Sequence, residues 1–547
     1  MLFRSVFSIV ALVAATVAFP APARADSVIT VATGVDEQTS NGLCSLREAI
    51  TNANNNAHTA TDCVAGTTND AIVFAGTVTT ITLGAALPSI SDAAGLTIDG
   101  ANHVTISGNH SVGLFVVAGG GALLLRNLAL VNGSSSSGAA ISNSGVLTVE
   151  HSSFSGNSVT NSGGAIINGG TASIRGSTFV HNAATNDGGA IDDFGGALTI
   201  SNSTFANNSA NYGGGVQNNN GTVYLFNSTF SANSAATNGG ALGTWNGGTA
   251  PITMVRNTIL ANSPAGDDCW NGLGSNPLSG GNNIIETTSN CTSIATITSD
   301  PGLTALSGSP AYYGLSGSSP AISAGSDAVC AASPVFNASQ NAIPRPQGAH
   351  CEIGSFEMPL TSVLRSTGAN DGWVLETAET SNAGGTLNAT AGTFNLGDDA
   401  ANRQYRAILH FNTFALPDTA VVTKATLMIK QQGLVGSDPF ATHGVLRVDT
   451  RKPYFGAAGP LEPGDFQAAA GASGVGRFGV SASAGWYRAP LSATGKSLIN
   501  LVGTTEYRLR FALDDNNDHG ADYVRFFSGN APTAANRPQL TIEYYVP

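Results

Sequence analysis

The sequence predicts an all-β fold, a parallel β-helix followed by a second β domain of sandwich or jelly-roll type. Three observations carry this: a motif recurring at a nearly constant step, a scarcity of charge confined to the repeat region, and a change of composition near position 359. The repeat shows in Gly163-Gly164-Ala165-Ile166, Gly188-Gly189-Ala190-Ile191, Gly214-Gly215-Val216 and Gly239-Gly240-Ala241-Leu242, with Gly138-Ala139-Ala140-Ile141 one step earlier. Between them runs Phe-x-x-Asn, at Phe154/Asn157, Phe179/Asn182, Phe205/Asn208 and Phe230/Asn233. Short apolar alternations such as Leu147-Thr148-Val149 and Leu198-Thr199-Ile200 lie upstream of each. Short strands punctuated by Gly and Asn, without a helical period, suit a solenoid whose turns stack on one another. Phe is then expected to pile on Phe in the core and Asn to form ladders at the corners.

Stacking also accounts for the charge. Only 10% of the 547 residues are charged, where roughly 25% is usual, and the formal net charge is −13. Residues 26–360 hold five arginines, 19 acids and no lysine. In a parallel stack the same position recurs about every 4.8 Å. Like charges repel at that spacing, so neutral amides and hydroxyls take the ladder positions. Such a chain has nothing to neutralise a run of phosphates, which excludes a nucleic-acid binder. All four lysines, Lys424, Lys430, Lys452 and Lys496, lie in the last quarter, which excludes a lysine-dependent enzyme upstream of Lys424.

Positions 1–25 read as a secretion signal: Arg4, an apolar run from Val6 to Phe19, and Ala23-Arg24-Ala25 as a small-x-small cleavage site. No later stretch has 18 consecutive apolar residues, so no membrane-spanning helix is expected. Six cysteines fall as neighbouring pairs, Cys44/Cys63, Cys269/Cys291 and Cys330/Cys351. An even count behind an export signal reads as disulfides; no two sit at the C-x-x-C spacing of a metal site. Residues 26–95 are expected to form an N-terminal cap and the first turns. Within them 43–57 reads as a helix, because Leu46, Ala49, Ile50 and Ala53 share one face. It would cover the open end of the solenoid, pinned by Cys44–Cys63, with Cys330–Cys351 closing the other end. The β-helix occupies 96–358.

The GGAI and FxxN repeats together resemble the passenger repeats of polymorphic outer membrane proteins, a β-helical surface and adhesin family. Leu43-Cys44-Ser45-Leu46-Arg47-Glu48-Ala49-Ile50 resembles the CSLREA motif that begins many secreted bacterial β-helix proteins. Ser319-Pro320-Ala321-Ile322, Pro344-Arg345-Pro346 and Cys351-Glu352-Ile353-Gly354 are similar to their end-of-helix segment, with Ser323 where an acid is common. The resemblance covers about 40–358 and implies a right-handed, pectin-lyase-like solenoid.

Residues 359–547 balance their charges and lose the repeat. Strand-like runs follow at Tyr405–Phe411, Ala425–Lys430, Gly444–Val448, Tyr507–Ala512 and Gln539–Tyr545, as in a sandwich. The run from Asn402 to Phe411, with Leu416-Pro417, Ala425-Thr426-Leu427 and Arg537-Pro538-Gln539-Leu540, resembles a DNRLRE-type domain. That resemblance implies carbohydrate binding, alginate among the ligands. The closing residues Tyr544-Tyr545-Val546-Pro547 are expected to end a sandwich strand, with no membrane barrel after it.

One turn gathers Arg175, His181, Asp187, Asp192 and Asp193 while its neighbours are nearly uncharged. Paired carboxylates can activate water and protonate a leaving glycosidic oxygen. Asp192-Asp193 resembles the adjacent aspartates of pectin-hydrolysing β-helices, without their Gly-His-Gly or Arg-Ile-Lys partners. Stacking offers a structural reading: Asp193 takes the ladder position of Asn143, Asn168 and Asn218, and Glu150 lies one turn below Arg175 as a cross-strand ion pair. A β-eliminating lyase needs a base and a cation beside the substrate carboxylate. Here it would need Ca²⁺ on Asp187, Asp192 and Asp193, in a segment whose charge repels polyuronates.

Sugar faces pack on exposed rings. Trp245 and Trp270 are expected on surface loops, and Trp373, Trp486 and Tyr487 are candidate platforms in the second domain. Arg406, Arg508, Arg510 and Arg525 are placed to meet carboxylates; core aromatics and strand-face charges explain the same residues structurally. Asp514, Asp515, Asn517 and Asp518 crowd one loop as candidate Ca²⁺ ligands, the one cofactor the sequence leaves room for. Phe526 at position 12 excludes an EF-hand. The expected protein is secreted and bacterial, at the cell surface or beyond it. It binds extracellular polysaccharide without catalysis, the β-helix serving as a rigid display scaffold. A polysaccharide lyase or glycoside hydrolase with an appended binding module is the alternative, and a structural matrix protein a third class.

Overall fold

The structure, a computed structural model, describes residues 25–547, so the expected leader lies outside the described residues apart from Ala25. Two compact units divide between Met358 and Pro359. The first contains a parallel β-solenoid of about nine turns in residues 70–285. A turn consists of short strands such as Ile166–Asn168, Thr171–Arg175, Thr178–Val180 and Ala183–Ala184. Each pairs in parallel with its equivalent one repeat away; Ile166, for example, stands between Ile141 and Ile191.

The repeat motifs become columns. Phe154, Phe179, Phe205 and Phe230 stack with centroids 4.4, 4.7 and 4.3 Å apart and rings within 6° of parallel. All four are fully buried, each contributing on the order of 2–3 kcal/mol through burial. Beside them Asn157, Asn182, Asn208 and Asn233 form a ladder. Each Nδ2 donates to the Oδ1 of the next, at 2.9, 2.9 and 2.8 Å, and also to a backbone carbonyl. Buried amides are tolerable because donor and acceptor are both paired. A hydroxyl ladder that the sequence reading passed over runs through Ser152, Ser177, Ser203 and Ser228. Each hydroxyl accepts the backbone N–H one turn away and donates to the carbonyl two residues back. At the bends glycine is required: Gly188 has φ +62°, and a Cβ there would lie 2.3 Å from the Ile191 carbonyl oxygen.

Helix Leu46–Asn55 begins in a capping box, with Ser45 accepting from the Glu48 amide and Glu48 accepting from the Ser45 amide. Its Leu46, Ala49, Ile50 and Ala53 face joins the core of the first strands, and Cys44–Cys63 pins it. At the other end the structure corrects the expectation. Cys269–Cys291, with Ile294, covers the last turn, where Asn283 donates to the Ile294 carbonyl. Cys330–Cys351 lies instead on the flank, against Asn227 and Asn257. The segment 303–358 runs back over a column of outward hydroxyls: Thr204 bonds Gln340 and Ser355, and Thr229 accepts from the Ser355 amide. Small hydroxyl side chains leave that face flat and hydrogen-bonding, so it takes an added layer of chain. Arg345 and Glu357 are both fully buried there, paired at 3.1 Å.

The second unit is antiparallel. Its 12 strands form a single curled sheet, of the all-β class expected. The 15-residue strand Val421–Val435 is the reason. Its first half pairs with Gln539–Tyr545 and Trp486–Pro490, and its second half, past an irregularity at Gln431/Gly433, pairs with Tyr523–Phe527. The bulge turns one strand from one layer into the other. Phe394, Phe411, Tyr507, Phe511 and Phe526 fill the space between.

Candidate functional site

Strands Ile166–Asn168, Ile191–Phe194, Val216–Asn219, Leu242–Trp245 and Cys269–Asn271 lie side by side in register. Alternation sends neighbouring residues to opposite faces. The inward column is Asn143, Asn168, Asp193 and Asn218, as the stacking argument expects. Asn168 Nδ2 donates to Asp193 Oδ1 at 2.6 Å, and the Thr222 backbone N–H also bonds the carboxyl. Burial pushes the Asp193 carboxyl up to about 7. The outward column is Ile167, Asp192, Gln217, Gly243 and Trp270, flanked by Phe194, Asn219 and Trp245. Asp192 and Asp193 therefore point to opposite sides of the wall and cannot act together on one bond.

Asp192 is only 1% exposed, and burial, with Asp187 nearby, pushes its carboxyl up to about 8. Asn219 Nδ2 donates to Asp192 Oδ1 at 2.9 Å, and Gln217 Nε2 donates to Asn219 Oδ1 at 3.1 Å. Asp187, half-buried, is raised by burial and held by Asn219 and Ser162. Arg175 and His181 are not brought to this cluster. Arg175 ends a strand of another sheet and His181 sits exposed at a bend with φ 55°. Arg175 stands in register with Glu150, but among the described residues no ion pair closes between them; the ion pair of that column is Arg126–Asp99, at 2.8 Å.

Trp245 and Trp270 lie on strands, not loops. Their rings are 6.1 Å apart and within 13° of parallel, and Tyr212 comes to 5.8 Å from Trp270. Trp245 is 47% exposed. The structure thus sets Trp245 and Trp270 on one face with Asp187 and Asp192, and adds Tyr212, Gln217 and Asn219. Repeat arithmetic carries that signal: Asp192, Gln217, Gly243 and Trp270 follow one another at the step of the GGAI motif. Two surface depressions of about 240 and 230 Å³ lie elsewhere, beside the cap at Glu48 and Thr61 and along Asn102–Thr105 near Pro310.

In the second unit Tyr487 is a core residue, 6% exposed and stacked 4.7 Å from Phe440. Its ring is no platform, because the strand alternation turns it inward. Trp373 is half-buried edge-on against Tyr405, and Trp486 half-buried with Lys430 Nζ 5.9 Å over its ring. Arg406 lies 3.8 Å over Phe466 and donates to Gln404, Asn382 and the Phe466 carbonyl. Burial, with Arg508 and Arg510 near, lowers it to about 10. Arg508 is committed to Asp449 and to the carbonyls of Asp465, Phe466 and Ala468. Burial pushes Asp449 up, but Arg510 and Arg508 outweigh it and hold the carboxyl low. Arg525, half-buried, pairs across strands with Asn395 and Gly433.

Two arginines missed in the sequence complete a row. Arg447 stands in register with Arg510 on one side and Arg477 on the other, and both Arg447 and Arg477 are exposed. Like charges directly opposite are destabilising, so the row holds potential that an anion would relieve. The Asp514–Asp518 loop turns its oxygens to its own amides: Asp515 accepts from Asn517 N and Asp518 from Gly520 N. Among the described residues no three His, Cys, Asp or Glu side chains converge as they would on a metal ion. Nor is any helix there long and apolar enough to cross a membrane.

Residues 94–284 match a family model described as a right-handed β-helix region. Residues 94–284 accordingly form a right-handed parallel β-helix. No curated protein matches the chain.

Proposed function

We propose that this is an exported, non-catalytic polysaccharide-binding protein, in which the β-helix is a stiff display scaffold and the second unit engages acidic glycan. The in-register row Arg477, Arg447 and Arg510 carries the reading. Guanidinium groups at strand spacing match carboxylates repeated along a polyuronate. Among the described residues the row's one ion pair is Arg510 with Asp449, which leaves Arg447 and Arg477 for a ligand. The three disulfides and the resemblance of 359–547 to a carbohydrate-binding module agree with an extracellular setting. Titration of the whole protein with alginate and pectate is the test. Arg447→Ala and Arg477→Ala are expected to weaken binding about tenfold each, and binding is expected to fall steeply with salt. Retained affinity in the double variant would remove the arginine row from the account.

One observation favours the enzyme alternative: Asp192, high in pKa, bonded through Asn219 beside Asp187. A polysaccharide lyase or glycoside hydrolase would release unsaturated or reducing ends from a polysaccharide panel, and Asp187→Asn would abolish the release.

A further inference from the structure

The outward face of the β-helix holds a second set of groups that the acidic-glycan reading leaves unused. Among the described residues Gln217 Oε1 has no partner, on a side chain only 1% exposed. It lies over Gly243, where a Cβ would come within 2.1 Å of it, and Trp270 is the next residue along that column. The rest of the polar string is paired, Gln217 to Asn219 and Asn219 to the carboxyls of Asp192 and Asp187. Beside it the Tyr212–Trp270–Trp245 rings make a continuous apolar strip open to solvent.

An aromatic strip beside a half-buried carboxyl, Asp187, matches a pyranose, which has an apolar C–H face and a rim of hydroxyl donors. The charge selects among pyranoses. Residues 26–360 carry 19 acids against five arginines, and Asp187 stands beside Tyr212 at the strip. A uronate or sulfated sugar would meet like charge there. We propose that Tyr212, Trp245 and Trp270, with the half-buried Asp187 beside Tyr212, form a subsite for an uncharged saccharide, whose rings stack on the tryptophans while a hydroxyl donates to Asp187. It is independent of the arginine row and takes a different class of glycan.

The test uses the whole protein, tryptophan fluorescence and calorimetry, with neutral oligosaccharides (gluco-, xylo-, manno- and chito-series) and oligogalacturonate as the acidic comparison. Binding of at least one neutral series is expected, tightening with chain length, about tenfold weaker in Trp245→Ala and weaker again in Trp245→Ala/Asp187→Asn. Trp245 is half exposed, so its removal leaves the wall intact; unchanged thermal melting confirms this. Acidic-glycan binding is expected to be unchanged in Trp245→Ala and lost only in the arginine variants. The subsite is overturned if no neutral series binds at millimolar concentration, if Trp245→Ala binds as the parent does, or if oligogalacturonate competes for the strip.

Discussion

Asp193 replaces an asparagine in a buried ladder, and the substitution has a definite pH signature. The carboxyl rises from an unfolded value near 3.8 to about 7 because burial disfavours its charged form. An acid raised in this way stabilises the fold only while protonated. Its contribution is intact at pH 4, declines as pH climbs to 7, and is gone above that. Asp193→Asn restores a neutral amide between Asn168 and Asn218. At pH 8 the variant is expected to be more stable than the parent by roughly 1–3 kcal/mol, with the difference vanishing near pH 4. Urea denaturation at the two pH values measures it; equal gains at both would deny the ladder account. Asp192, at about 8, adds a loss of the same sign over a window reaching higher.

At the scale of the element, the columns are the unit of stability. Asn208 accepts from both the N–H and Nδ2 of Asn182 and donates to Asn233 and to the Phe179 carbonyl. Asn208→Ala strips partners from both neighbours in a fully buried site, and a loss of about 2–4 kcal/mol is expected. Ser158→Ala, at an exposed position of the short strand Ser158–Val159, is the control. It should change stability by under about 0.5 kcal/mol, as surface substitutions do. Hydrogen exchange along the ladder would localise the loss to the turns 182–233, since a stacked solenoid is stabilised through nearest neighbours. The helix over 43–57 was legible because its apolar face and capping residues are local. The curled sheet of the second unit was not: that Val421–Val435 serves two layers depends on strands far along the chain, including Gln539–Tyr545.

For the whole molecule the ends of the solenoid matter most, because an uncovered last turn presents unpaired backbone to another chain. Cys269→Ser/Cys291→Ser is expected to loosen the cover over that turn and produce self-association, seen by light scattering. Cys330→Ser/Cys351→Ser removes a flank staple closing a similar loop, of separation 21 against 22. It should cost about 3 kcal/mol at most and leave the protein monodisperse relative to the parent. Equal association in both variants would contradict the placement of the two disulfides.

The sequence alone determined the period, the inward columns, the solenoid's neutral composition, the cap and the partners of all six cysteines. Each follows from stacking or short separation: residues one repeat apart become neighbours at about 4.8 Å, whatever the rest of the chain does. Only the tertiary structure decided which wall stays open. The segment 303–358 folds back over the hydroxyl face of much earlier turns, while Trp245 on another wall stays 47% exposed. The arginine row likewise joins Arg447, Arg477 and Arg510 through antiparallel register. Lateral packing and long-range register bring distant residues together, and no periodicity in the chain encodes them.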